Sequence, residues 1–168
     1  MQQIPELKPG EPAKLAVGQI AELQRTFTQQ DVERFADVSL DRNPVHLTKD
    51  HGDKRFPGQI AHGMLTASMF SALFGTRLPG AIYLSQTLNF RAPVLLGDTV
   101  TARITVKALR KKLVTCETAC RNQRGVVVVD GEALVSLPTL VTSDWTANAA
   151  AAKAKAEADL IPDRSCFN

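Results

Sequence analysis

From Ile82 to Leu137 apolar and polar residues alternate with a period of two. Ile82, Leu84, Leu88 and Phe90 alternate with Tyr83, Ser85, Thr87 and Asn89, and Val100, Ala102, Ile104, Val106 and Ala108 alternate with Thr101, Arg103, Thr105 and Lys107. Such runs predict strands with one buried face, here the faces carrying the large apolar residues. Leu113 to Cys120 and Val126 to Leu137 continue the series, with Asn122-Gln123-Arg124-Gly125 as a hairpin turn and Gly131 as a candidate bulge. Ahead of the strands, Met64 to Gly75 is apolar on every face, with only Thr66, Ser68 and Ser71 polar and Gly75 as a natural stop. That helix is too short to span a bilayer, so the strands must wrap it. The pattern predicts an α+β fold in which a buried helix lies inside one curled antiparallel sheet. Nearer the N-terminus, Thr28 and Asp31 form a capping-box pattern, and Val32, Phe35 and Ala36 repeat at helical spacing, predicting a short helix from about Gln29 to Val38. The polar stretch from Thr48 to Arg55 reads as a short surface helix or turns, with Thr48 a candidate cap, before Pro57-Gly58 resets direction.

Composition narrows the class. A chain of 168 residues holds one domain with a real core. Its 20 Lys and Arg against 17 Asp and Glu leave a net charge of +3. The basic residues are spread out apart from Arg110-Lys111-Lys112, so no nucleic-acid footprint is indicated, while an anionic small molecule stays open as a ligand. Cys116, Cys120 and Cys166 lack metal-site spacing; the first two fall on one face of a strand as small hydrophobes, which suits a reducing interior. The N-terminal residues show no signal or transit pattern and no apolar run approaches membrane length, so a cytoplasmic protein with no membrane partner is expected. Residues 1–16 read as an N-terminal extension, 17–138 as the folded domain and 139–168 as an alanine-rich tail. From Ala147 to Ala158 that tail has strong helix propensity but no stripe of large apolar residues, so it is either exposed and frayed or packed on a partner subunit.

The candidate chemistry lies between the two helices. In Leu40-Asp41-Arg42-Asn43-Pro44-Val45-His46-Leu47, Asp41 and His46 are side-chain types suited to moving protons near neutral pH, and Pro44 makes an uninterrupted helix unfavourable. Asn43-Pro44 is a turn signal, so the loop can fold back and bring both side chains to one pocket with a water between them. His62-Gly63-Met64 heads the apolar helix, where unsatisfied amides and the helix dipole favour an anion. His62 reads as a packing or hydrogen-bonding residue at the helix start. Asp41, His46 and His62 could in principle ligate Zn or Fe, but no second-shell pattern in the sequence supports a metal, and none is expected.

Taken together, Asp41-x-Asn43-Pro44-x-His46, Gly58-x-Ile60-Ala61-His62-Gly63-Met64, Leu78-Pro79-Gly80, Ile82-Tyr83-Leu84-Ser85-Gln86 and Gly97-Asp98 resemble the R-specific enoyl-CoA hydratases of the MaoC-like dehydratase family. The resemblance spans about Val17 to Pro138. It implies a hot dog fold, commonly a homodimer whose sheets join edge to edge. It further implies hydration of trans-2-enoyl-CoA to (R)-3-hydroxyacyl-CoA, with no cofactor beyond the coenzyme A of the substrate. By the same resemblance, Asp41 and His46 would hold the attacking water and the Gly63 N–H would receive the thioester oxygen's charge. Asn43, which would also shape the loop, and Ser71 would belong to the substrate-binding site. Which of Asp41 and His46 takes which proton is left open by the residues. Dehydration on an acyl carrier protein, a hot dog thioesterase and a non-catalytic acyl-CoA-binding subunit are the alternatives. Two residues expected after Leu78-Pro79-Gly80 are absent here, which shortens the turn behind the buried helix. Met69, Leu73, Phe74 and Tyr83 are candidate walls of an acyl pocket, and Arg103, Lys107, Arg110, Lys111 and Lys112 offer charge that could meet coenzyme A phosphates or merely aid solubility.

Overall fold

A computed structural model of the chain describes residues 2–142. The alanine-rich tail and Cys166 lie outside the described residues. Strands β2 (Ile20–Thr26), β5 (Thr99–Arg110), β6 (Leu113–Asn122), β7 (Val127–Ser136) and β3 (Ile82–Gln86) form a sheet in the order β2-β5-β6-β7-β3, antiparallel at every step. A two-residue strand β4 (Asn89–Phe90) also pairs with β7. Helix α1 (Gln29–Ser39) and the single turn α2 (Pro44–Leu47) precede the long helix α3 (Gly63–Arg77), which lies on the sheet's inner face.

The core comes from the expected alternation. Val100, Ala102, Ile104 and Val106 of β5 and Val114, Cys116 and Cys120 of β6 are fully buried and meet Met69, Phe70, Leu73 and Phe74 of α3. Each buried Phe contributes about 2–3 kcal/mol of hydrophobic stabilisation. Burial pushes the Cys116 and Cys120 thiols up to about 12, so both are unreactive core groups. A bulge between Val106 and Ala108 breaks the register at the end of β5, and Ala108 is exposed.

Several local expectations are corrected. The helix does not stop at Gly75; it continues to Arg77, and the Leu78 N–H closes it on the Phe74 carbonyl. Thr48 does not open a helix: it closes α2, donating its N–H to the Pro44 carbonyl, and turns follow. Gly131 is no bulge, since it pairs in register with Thr118. A Cβ there would stand 1.8 Å from the Thr87 carbonyl oxygen, so glycine is required by close backbone approach. The run from Ile82 to Phe90 is not one strand with Ile82 and Leu84 inward. It breaks at Thr87–Leu88, Ile82 and Leu84 are 65% and 53% exposed, and Tyr83 packs edge-on against Phe74 instead. Nor is α3 wrapped on every side, because Met64, Ser68, Ser71 and Gly75 line an open face.

At the other end of the sheet the first residues are part of the packing. Strand β1 (Ala13–Leu15) pairs in parallel with β8 (Leu140–Thr142), and Ile4 and Leu15 are buried in the core. Arg103 and Lys107 face outward on β5 and are ion-paired with Glu22 and Glu117.

Candidate active site

The loop between α1 and α3 is built by local capping. Thr28 and Asp31 form the reciprocal capping box that starts α1, and Leu40 ends it in the left-handed conformation at φ 61°. A leucine held there costs about 1 kcal/mol and turns the chain sharply into Asp41. The Asp41 N–H donates to Ser39 Oγ at 3.2 Å, and Asp41 Oδ1 accepts the Asn43 N–H at 3.2 Å. Asn43 in turn caps α2, its Oδ1 accepting the Val45 N–H, and Pro44 sits at the first helical position, where it needs no hydrogen-bond partner. The residue is thus a loop builder, and its side chain serves the backbone rather than the cavity.

His46 leaves α2 toward α3. Its Nδ1 lies 2.9 Å from the Ile60 carbonyl oxygen, a contact that requires Nδ1 to carry the proton, so Nε2 presents a lone pair. Ile60 is held by its own N–H to Val45 O, and the Ala61 N–H donates to Val94 O at 2.7 Å. Burial holds the His46 pKa below its ordinary 6.5, opposed by the Ile60 hydrogen bond and the Asp41 charge. Its Nε2 lies 3.9 Å from Asp41 Oδ2. One water at hydrogen-bond distance of about 2.8 Å from each spans that gap at an angle of about 90°.

Gly63 opens α3 beside this pair. No side chain caps that N-terminus among the described residues, and the N–H groups of the first turn have no acceptor there. A Cβ at 63 would come within 2.6 Å of the Phe90 ring, so glycine lets the ring approach the helix start closely. Asp41, His46, Gly63, Phe35, Phe90 and Arg91 are among the residues lining one largely apolar cavity of about 710 Å³. Arg91 at its wall is engaged by Asp130 in a two-pronged ion pair.

Three of the residues expected at the site are therefore brought together, and two stand apart. Ser71 opens on a neighbouring cavity of about 410 Å³, which shares Phe35 and Met64 with the first and is also lined by Tyr83 and Leu88. Met69, Leu73 and Phe74 are core residues and line neither cavity; of the candidate acyl walls only Tyr83 does. Reading the sequence missed Phe35, Phe90 and the Ile60 carbonyl, which the chain brings in from separate segments.

Asp41, His46 and His62 each offer a ligand atom within 4.8 Å of the others. The two imidazoles, however, are stacked, with centroids 3.8 Å apart and planes at 29°. Nearly parallel rings direct their in-plane lone pairs along separate planes, a poor arrangement for one shared ion.

The helix laid across a curled antiparallel sheet, with an aspartate-histidine pair facing an open helix N-terminus, is that of the hot dog enzymes acting on thioesters. The chain belongs to the family of the MaoC like domain, whose model matches residues 13–128. It is 49% identical over 126 residues to an (R)-specific enoyl-CoA hydratase of Rhodospirillum rubrum, covering 72% of this chain and 87% of that one. It is 43% identical to a 3-hydroxybutyryl-CoA dehydratase of Methylorubrum extorquens, covering 84% and 92%. The solved (R)-hydratase from A. caviae involved in PHA biosynthesis superposes with a TM-score of 0.71 at 46% identity, covering 74% of this chain and 98% of the other.

Proposed function

We propose that this protein hydrates trans-2-enoyl-CoA to (R)-3-hydroxyacyl-CoA, and catalyses the reverse dehydration. The observation that carries the reading is the 3.9 Å gap between His46 Nε2 and Asp41 Oδ2, open to the same cavity as the uncapped Gly63 amide. A water in that gap donates one hydrogen to the His46 lone pair and the other to the Asp41 carboxylate, leaving its own lone pairs free for C3 of the enoyl group. His46 takes the proton as the O–C3 bond forms, and negative charge moves onto the thioester oxygen. The Gly63 N–H and the dipole of α3 receive that charge, a contribution of about 3 kcal/mol for a well-aimed donor. Returning the proton from His46 to C2 on the same side completes a syn addition and restores the neutral imidazole. No cofactor enters, since coenzyme A is part of the substrate.

The R stereochemistry follows the named activity of the Rhodospirillum rubrum relative. The working unit in this reading is a homodimer. Strand β3 is a sheet edge with Ile82 and Leu84 exposed, and it borders the open face of α3, so a second copy would cover both. No helix among the described residues is long and apolar enough to cross a membrane, and with two free buried cysteines we place the protein in the cytoplasm, in fatty-acid metabolism.

The test is incubation with crotonyl-CoA, following loss of the enoyl thioester absorbance and the chirality of the product. An intact (R)-3-hydroxybutyryl thioester is expected. Release of free coenzyme A would instead identify a thioesterase, and tight binding without turnover would identify a binding subunit.

A further inference from the structure

His62 is the most deeply buried polar ring beside the site, 2% exposed, and the mechanism above does not use it. Its Nε2 lies 3.0 Å from the Asp41 backbone carbonyl oxygen, so Nε2 carries the proton and donates. One face of its ring stacks on His46 at 3.8 Å, and Phe35 packs against it at 5.0 Å, tilted by 57°. Its Nδ1 is buried and has no hydrogen-bond partner among the described residues. A buried acceptor left unpaired is a cost to stability, so an apolar ring of similar size would suit this position better on packing grounds alone.

We propose that His62 is a positioning residue for the catalytic pair: its Nε2–H fixes the backbone of Asp41 and so holds the Asp41 carboxylate at its distance from His46. This deepens the hydratase reading and rests on it. The two catalytic side chains come from different local structures, a left-handed turn at Leu40 and the single turn of α2. Asp41 is tied down at its N–H by Ser39 and at its carboxylate by Asn43. Among the described residues the Asp41 carbonyl is held by His62 alone, which is also the residue on which His46 stacks. One side chain at the N-cap of α3 therefore relates Asp41, His46 and the Gly63 amide to each other, and an error of about 1 Å in such a relation costs on the order of a hundredfold in rate.

Two substitutions separate the roles. His62→Phe keeps a stacking ring and removes the donor, and His62→Gln keeps a donor at the reach of Nε2 and removes the ring. The expected result with crotonyl-CoA is a kcat lower by roughly thirtyfold to a hundredfold in His62→Phe, with KM within about threefold of the parent and a melting temperature no lower than the parent's. His62→Gln should recover kcat to within about fivefold of the parent, because the Asp41 carbonyl is again held. Parent-like kcat in His62→Phe, or equal losses in both variants accompanied by lowered melting temperatures, would overturn the proposal, the latter pointing to a merely structural residue. Nitrogen-15 spectra of the histidine rings give an arm independent of turnover. They should show the proton of His62 on Nε2 and that of His46 on Nδ1; a His62 proton on Nδ1 would overturn the proposal whatever the activity. If the parent shows the expected tautomers but does not hydrate crotonyl-CoA, the hydratase reading fails. Positioning is then decided by the Asp41 and Asn43 amide signals, which should move in His62→Phe and stay in place in His62→Gln.

Discussion

If one water serves both Asp41 and His46, removing the two groups together should cost scarcely more than removing either. The 3.9 Å between Oδ2 and Nε2 is too long for a direct hydrogen bond and short enough for one bridging water. Asp41→Asn keeps the side-chain volume and removes the charge. His46→Asn places an amide nitrogen where Nδ1 was, so the donor to the Ile60 carbonyl survives while Nε2 disappears. The Asp41 side chain is 51% exposed, so its replacement should change stability by less than about 0.5 kcal/mol. A positioned acid-base group is worth about 10² to 10⁴ in rate. With about 10³ for each, near 4 kcal/mol, independent action predicts a double variant slowed by about 10⁶, whereas a shared water predicts about 10³ to 10⁴ and a coupling of roughly 3–4 kcal/mol. The assay is kcat/KM for crotonyl-CoA in the parent, both singles and the double, each checked for folding by urea denaturation. Losses that multiply would show the residues acting on different species and refute the bridging water.

Proton uptake by His46 requires the neutral ring. Burial holds its pKa below 6.5, so the acid limb of kcat/KM, where the ring protonates, should be centred below pH 6.5; an acid limb centred above 6.5 contradicts this. Gly131→Ala forces a Cβ into the Thr87 carbonyl and disturbs the paired bonds between Thr87 and Glu132, so urea denaturation should show a loss of about 3 kcal/mol, and a loss under 1 kcal/mol would mean the backbone yields freely. Leu84→Asp should convert the parent, expected to sediment at twice the 18.2 kDa chain mass, into a monomer; a parent that already sediments as one chain removes the edge-pairing argument.

The elements that the sequence made legible are those whose pattern has a single cause. Val100 to Val106 alternates because one face of β5 meets α3 and the other meets water, and the capping box at Thr28 needs only its own helix. Asp41, Asn43, Pro44 and His46 were legible as a shaped loop because proline and the Asx turn act locally. What stayed hidden depends on contacts between distant segments: the Thr87 carbonyl that demands glycine at 131, the Ile60 carbonyl that sets the His46 tautomer, and the Phe90 ring over Gly63. The inverted face of β3 has a different origin. Ile82 and Leu84 alternate with Tyr83 and Ser85 less cleanly than the residues of β5 do, and they are exposed rather than turned to the chain's own core, while α3 is left open along Met64, Ser68 and Ser71. Periodicity reports that a face is to be buried but not by which molecule. An apolar edge and an unwrapped helix face on the same side are two halves of one requirement, which a second copy of the chain would meet in the proposed homodimer. The cavity holding Ser71, Tyr83 and Leu88 lies on that side and shares Phe35 and Met64 with the catalytic cavity, so in the proposed homodimer the second copy would cover it.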